Sequence, residues 1–220
     1  MTTTTSAEQR VSFREVKEES YRALRARGYD WGRAQAAGRA VGVAQVLWGS
    51  GIEAVIADAK RWGRAFSRPR TLRSDDGFSL AARGFRYPVI APLAVALTLS
   101  KPQSIVTVTK TPCVKEVATA VWDMQETNLS PLSWGFRSGS EFIGFSIAEN
   151  ADLFQHGKPN LQPGGTPWTL QHGRADGGTL LISTGDRLEK IEQSLRIGVG
   201  VESDQWKTLS SHARKFLVPE

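Results

Sequence analysis

The sequence predicts an α+β protein in which an N-terminal helical region packs on a mixed, largely antiparallel sheet with additional helices. Three observations favour this class. The first third repeats apolar residues at helical spacing, whereas later segments such as 104–109 are dense in β-branched residues typical of strands. The composition, 40% hydrophobic and 23% charged, is that of an ordinary globular protein. A length of 220 residues suffices for one large domain or two small ones.

The first predicted element is a helix that begins after Ser12. Ser12 and Glu15 have the spacing of a capping box, in which each side chain bonds a free N–H at the start of the helix. Gly28 is a natural end for this helix. We expect residues 1–10 to form a flexible N-terminus, and residues 11–66 to form the helical region.

The second predicted helix runs from about Asp30 to Trp48 and is rich in small residues. Ala34, Gly38 and Gly42 recur every four positions, so they lie on one face. Each helical glycine costs roughly 1 kcal/mol relative to alanine. The pattern therefore predicts that another backbone approaches this face closely. A third helix follows Ser50, with apolar residues at helical spacing up to residue 62.

Residues 67–87 are predicted to be a linker. Residues 88–220 are predicted to be a strand-rich α+β region, and we expect this region to form one compact unit with residues 11–66. Strands are expected at 104–109, 141–147 and 179–183, and also at 195–202, where apolar and polar residues alternate. Helices are expected at 114–122 and 203–216. Residues 90–99 fit either a helix or a strand, because periodicity cannot separate the two.

Residues 156–178 are the best candidate for a functional loop. About twenty residues without a clear pattern are unusual inside a domain and are often functional. Histidine titrates near neutrality and is the usual general acid or base. The predicted catalytic residues are His156, His172 and Asp176, and the predicted ligand-binding residues are Trp168, Arg174 and Lys158. The alternative is a surface loop in which both His-Gly pairs are simply turns.

Other chemistries have little support in the sequence. The histidines do not match a metal-ligand spacing, so we expect no metal site. No phosphate-binding glycine motif or serine-hydrolase elbow is present, and no cofactor can be named. Because Cys113 is the one cysteine of the sequence, an internal disulfide is excluded. Cys113 could be a nucleophile at a helix N-terminus, but the favoured interpretation is a small buried side chain. Trp134 and Trp168 are predicted to lie in loops, where aromatic residues often serve binding.

The positive charge is concentrated in the first third of the chain. Residues 1–73 contain 14 Lys/Arg and 7 Asp/Glu, whereas the rest is nearly neutral. Residues 60–73 combine cations with Trp62 and Phe66, but Trp62 also fits a helix core, so nucleic-acid binding is not expected. The longest apolar run, residues 88–99, is too short to cross a bilayer, and the N-terminus does not resemble a signal peptide. We therefore expect a cytoplasmic protein.

Two resemblances add to these patterns. The run Ala26-Arg27-Gly28-Tyr29-Asp30-Trp31-Gly32, with the tail from Trp206 to Glu220, resembles an uncharacterised bacterial domain-of-unknown-function family. That family supplies no known activity, and its members continue into a Gly-Ala-Gly run that this chain lacks.

More distantly, the first sixty residues look like the leading helices of type-2 malate/lactate dehydrogenases. That family has a Ser-His-Gly motif after its second helix and uses the histidine in hydride transfer. The corresponding stretch here is Gly49-Ser50-Gly51-Ile52, without histidine. The resemblance thus implies a fold but not that reaction.

Two functions remain open, and the sequence does not decide whether the protein is an enzyme. The first is a small-molecule enzyme or ligand-binding protein that acts on an anionic metabolite at residues 156–178. The second is a non-catalytic subunit of a bacterial complex, which binds a protein partner, or forms a homo-oligomer, through residues 30–48.

Overall fold

The computed structural model describes residues 8–61, 69–101, 103–124, 130–159, 166–173 and 175–216. Two compact units divide the chain: residues 1–63 together with 188–220 form the first, and residues 64–187 form the second. The predicted α+β class, with a mixed and mostly antiparallel sheet, is confirmed. The sequence analysis differs from this division, because it assigned residues 188–220 to the strand-rich region. Local sequence patterns do not show that this segment belongs with the N-terminal helices.

The first unit is mainly helical, and its strands form a two-stranded ribbon. Its helices are α1 (Phe13–Arg25), α2 (Trp31–Trp48), α3 (Gly51–Arg61), α7 (Ser203–Arg214) and the part of α6 (Thr184–Ile197) from residue 188 onward, and its strands are β1 (Glu8–Val11) and β10 (Val199–Glu202). The predicted capping box is confirmed at Ser12 and Glu15, and α2 begins where expected, after Asp30.

Helix α1 lies directly against the small-residue face of α2. A Cβ atom added to Gly38 would lie 2.9 Å from the carbonyl oxygen of Lys17, and one added to Gly42 would lie 2.8 Å from Cγ of Lys17. The close approach predicted from the glycine spacing is confirmed, and α1 occupies this face.

Both strands of the ribbon β1–β10 correct a sequence prediction. Residues 8–10, expected to be flexible, belong to β1, which pairs antiparallel with β10 from Val11↔Val199 to Glu8↔Glu202. Residues 195–202, expected to form one strand, contain the end of helix α6 (Thr184–Ile197) and then β10. Gly198, at φ 78°, separates the two elements. Leu195 and Ile197 are consequently exposed on α6 and do not alternate with buried neighbours.

The second unit contains an eight-stranded sheet in the order β2-β3-β4-β8-β5-β6-β7-β9, in which only β3 and β4 run parallel. The strands are β2 (Arg70–Ser74), β3 (Gly77–Ala81), β4 (Ile105–Thr109), β5 (Leu132–Ser138), β6 (Glu141–Ile147), β7 (Leu153–His156), β8 (Trp168–His172) and β9 (Thr179–Ile182). Its helices are α4 (Tyr87–Leu99), a 3₁₀ turn (Lys115–Val117) and α5 (Ala118–Met124).

Two segments of this unit differ from the sequence predictions. The stretch 67–87, predicted to be a linker, contains the hairpin β2–β3, whose second strand pairs with β4 inside the sheet. Trp134 and Trp168, predicted to lie in loops, are fully buried within β5 and β8. Their indole N–H groups donate to the carbonyl oxygens of Val114 and Thr111 at 2.9 and 3.1 Å, which explains how these large polar-tipped rings are accommodated in a core. Residues 90–99, left open by the sequence, are helical.

No helix among the described residues combines the length and apolar character that a membrane crossing requires.

Candidate functional site

His156 lies at the end of β7 in a polar patch on one face of the sheet. Its Nε2 atom is 2.8 Å from the hydroxyl oxygen of Ser146 on β6, and the imidazole is 5% exposed. Ser133 on β5 pairs directly with Ser146, and both serines are buried. Three buried polar side chains therefore cross three adjacent strands, a position that apolar residues normally occupy.

Two neighbours fix the imidazole of His156. The ring of Phe142 meets it edge-on, with centroids 5.4 Å apart. Gly178, itself exposed, covers the imidazole: a Cβ atom there would lie 2.6 Å from Cε1 and 2.9 Å from Nδ1. Position 178 thus needs a glycine for space as well as for its φ of 98°. The imidazole is therefore nearly buried, beneath an exposed segment at this end of the sheet.

His172 does not belong to this patch. Directly paired residues on neighbouring strands share a face of the sheet. His172 pairs with Leu132 on β5, and Leu132 also pairs with Ile147 on β6. Because Ile147 pairs with Leu153 on β7, His172 and Leu153 lie on the same face. His156 follows Leu153 by three positions in the same strand, so it points to the other face. The two histidines predicted to act together are therefore separated by the sheet. The Nε2 atom of His172 is 3.0 Å from the carbonyl oxygen of Thr98, so this side chain connects β8 to α4.

The remaining predicted site residues are distributed as follows. Lys158 and Asp176 are exposed, and the pairing of Gln155 with Thr179 brings the segments that carry them to the same end of the sheet as His156. Trp168 is a core residue and does not line this patch. Arg174 lies outside the described residues. The supposed loop also contains strand β8, so residues 156–178 are not a single irregular segment.

The hydroxyl of Ser146 and the imidazole of His156 can together hold or exchange a proton. A hydroxyl and an imidazole within hydrogen-bond distance are the minimal pair for general acid–base chemistry at an alcohol. Ser146 was missed by the sequence analysis. The available signal was the alternation in β6, which places Ser146 on the face opposite Phe145, but alternation does not identify a partner on another strand.

The other candidate groups give less support for a functional site. Cys113 is buried, and burial raises the pKa of its thiol well above the ordinary value, which suits a small core side chain better than a nucleophile. Within the described ranges, no three His, Cys, Asp or Glu side chains are grouped to hold a metal ion. Of the basic stretch 60–73, positions 62–68 lie outside the described residues.

The turn between α2 and α3 carries the stretch that corresponds to the dehydrogenase motif. A Cβ atom added to Gly51 would clash with the carbonyl oxygen of Val41, so the turn leaves no space for a side chain there. Gln45, which is buried, accepts a hydrogen bond from the backbone N–H of Ile52 at 3.0 Å. The stretch Gly49-Ser50-Gly51-Ile52, which the resemblance places opposite the family's motif, contains no histidine.

Comparison with known proteins agrees with the fold resemblance. No protein-family model and no curated protein sequence matches the chain. Among solved structures, malate dehydrogenase from Entamoeba histolytica superposes with a TM-score of 0.63 at 11% identity, over 97% of this chain and 99% of that one. A dehydrogenase from Sinorhizobium meliloti gives 0.65 at 9% identity, over 94% and 100%. Sulfolactate dehydrogenase from Methanocaldococcus jannaschii gives 0.58 at 9% identity, over 96% and 98%.

These likenesses extend over almost the whole chain. They show that the protein has the fold of malate/lactate dehydrogenase-like structures, as the resemblance of the leading helices predicted. At such low identity they show the fold alone. The relation to the domain-of-unknown-function family stays a prediction.

Proposed function

We propose that this protein binds a small anionic metabolite at the exposed end of the sheet beside His156, and that His156 is the proton-handling residue of this site. The observation that carries the proposal is the 2.8 Å contact between His156 and Ser146 in a buried polar patch. A buried polar network is costly unless it is satisfied, so its presence in a sheet core favours a use beyond packing.

One cation near the patch can pair with an anion. Lys158 follows His156 by two positions and is exposed, so its ammonium group is available to a carboxylate or sulfonate. Two of the solved structures that share the fold are named for malate and sulfolactate, both small anionic hydroxy acids. Asp176 and Arg174 stay predicted members of the site.

The proposed function does not include the hydride transfer of type-2 dehydrogenases. In the resemblance described above, the corresponding stretch Gly49-Ser50-Gly51-Ile52 has no histidine, so it has no residue that titrates near neutral pH. Binding, with or without a reaction driven by His156, is therefore the function that the residues support.

A paired substitution tests the proposal. His156→Gln removes the titratable ring of the patch, whereas His172→Gln changes a histidine on the opposite face and serves as the matched control. Isothermal titration with L-malate, L-lactate and their 2-oxo acids measures binding. We expect saturable binding of at least one acid, weakened about tenfold or more by His156→Gln, because a hydrogen bond to a charged group contributes about 1.5–3 kcal/mol.

The control should bind like the unmodified protein. Equal affinity of both variants and the unmodified protein, or no saturable binding of any of the four acids, would overturn the proposal. Circular dichroism of each variant separates loss of binding from loss of folding.

A second function, binding of a protein partner, is favoured by a separate observation on α2, namely the exposure of Trp31.

A further inference from the structure

Helices α1 and α2 of the first unit form a groove with an exposed tryptophan at one end. A cavity of about 340 Å³ is lined by Lys17, Glu18 and Tyr21 from α1 and by Trp31, Gln35 and Arg39 from α2. Trp31, the first residue of α2, is 62% exposed. An exposed aromatic ring beside a cavity offers a partner a large apolar contact area.

The glycine face of α2 sets the depth of this groove. Because Gly38 and Gly42 allow α1 to approach until the backbone of Lys17 is almost in contact, the neighbouring side chains of the two helices stand around a shared cavity. Trp31, Gln35 and Arg39 follow one another every four residues, so they form a single row along α2. The groove is thus a consequence of the packing that holds the two helices together.

The chemistry of the lining is that of a protein-binding hot spot. Trp, Tyr and Arg are the residues most enriched where interfaces derive their affinity, and all three line this cavity. Helix α2 carries two arginines and no carboxylate, and it belongs to the part of the chain with the excess of positive charge. Glu18 is the one acidic residue among those that line the cavity.

From these observations we propose that the groove binds an acidic segment of another protein, with an apolar or aromatic side chain of that segment on Trp31 and its carboxylates beside Lys17 and Arg39. Two cations against one carboxylate in the lining favour an acidic partner, and Trp31 supplies the apolar anchor. The inference is independent of the His156 site, since all of its residues lie in the first unit.

Selection from a random peptide library tests this proposal without requiring that the natural partner be identified first. Displayed dodecapeptides are selected on the full-length protein and counted by sequencing, in parallel with Trp31→Ala, Arg39→Gln and the control Arg33→Gln. Arg33 lies on the same helix, is exposed and pairs with Asp30 at 3.2 Å, but it does not line the cavity. The enriched peptides are then synthesised with a fluorescent label. Their affinities for the protein and for each variant are measured by fluorescence anisotropy at about 50 and about 300 mM salt.

We expect enriched peptides that combine several Asp or Glu residues with one large apolar residue. Their affinity should fall at least tenfold with Trp31→Ala and with Arg39→Gln, should change less than threefold with Arg33→Gln, and should weaken as salt increases. Enrichment of peptides without acidic residues, equal binding by Trp31→Ala, or no enrichment above an unrelated protein would overturn the proposal. Binding of nucleotides or other small molecules at Trp31, measured by fluorescence quenching, in the absence of peptide binding would likewise reject it.

Discussion

The two units fill their cores in opposite ways. In the first, α1 meets α2 over Gly38 and Gly42, and much of the interior of α2 consists of alanine and glycine. In the second, Trp134 and Trp168 are fully buried inside strands, and Trp134 stacks on Phe145 with centroids 5.8 Å apart. The first core depends on how closely two backbones approach, and the second on how well large side chains fill a volume. Added atoms should therefore damage the first unit, and removed atoms the second.

The largest effect is expected from truncation in the second unit. Trp168→Ala removes a buried indole and leaves the carbonyl of Thr111 without its donor, so we expect a loss of about 3–5 kcal/mol in the free energy of unfolding. Trp31→Ala is the matched control in the first unit; its ring is mostly exposed, so we expect a change within about 0.5 kcal/mol. Urea unfolding measures both. A similar loss in the two variants would contradict the difference in burial between Trp168 and Trp31.

A smaller effect is expected from one added methyl group in the first unit. Gly38→Ala introduces a Cβ atom 2.9 Å from the backbone oxygen of Lys17, which cannot move like the end of a flexible side chain. We expect α1 and α2 to separate, with a net loss of up to about 2 kcal/mol after the gain in helix propensity is included.

Gly32→Ala is the control for this substitution, because its nearest neighbour is Asp30 Oδ1 at 3.8 Å. It should stabilise the protein by about 0.5–1 kcal/mol through helix propensity alone. If chemical denaturation shows Gly38→Ala to be equally stabilising, the helices are not held at backbone contact.

The smallest effect concerns His212 on α7. Burial, followed by the charges of Arg27, Lys215 and Lys60, lowers the pKa of His212 below its ordinary value of 6.5. Arg27 Nη2 lies 3.4 Å from His212 Nδ1, an arrangement that suits a neutral ring. The folded protein therefore binds this proton less readily than the unfolded chain, and stability should fall as the pH drops through 6.5 toward the lower folded pKa.

Replacing the imidazole ring of His212 tests this dependence of stability on pH. His212→Gln should reduce the loss of stability between pH 7 and pH 5, measured by urea unfolding at several pH values. Arg27→Gln should reduce it in part, because it removes one of the charges that lower the pKa of His212. An unchanged pH slope in both variants would show that other groups govern the acid sensitivity.

Local signals predicted the helical part of the chain well. The cap at Ser12, the start of α2 near Asp30 and the glycine spacing of α2 each depend on residues within a few positions of one another, and the structure confirms all three. The strand at 141–147 was also predicted from its composition. None of these features depends on the rest of the fold.

The candidate site depended on strand pairing, which is not local. Whether His156 and His172 share a face is decided by the registers of β8, β5, β6 and β7, and no spacing between the two histidines contains that information. Trp168 looked like a loop residue because β8 is short and follows a glycine- and proline-rich stretch. The sequence therefore predicted a candidate site at residues 156–178, whereas strand pairing determines which of those residues meet.

The ribbon of β1 and β10 has a consequence for the synthesis of the protein. Arg10 on β1 donates to the carbonyl oxygen of Gly198, which lies 188 positions further along the chain. A ribosome adds about 5–20 residues per second, so the partner of β1 emerges roughly ten to forty seconds after β1 itself. The second unit is a single continuous segment and can fold while translation continues. The N-terminal helices must wait for residues 188–214 before their unit is complete, and until then their apolar faces lack part of their packing.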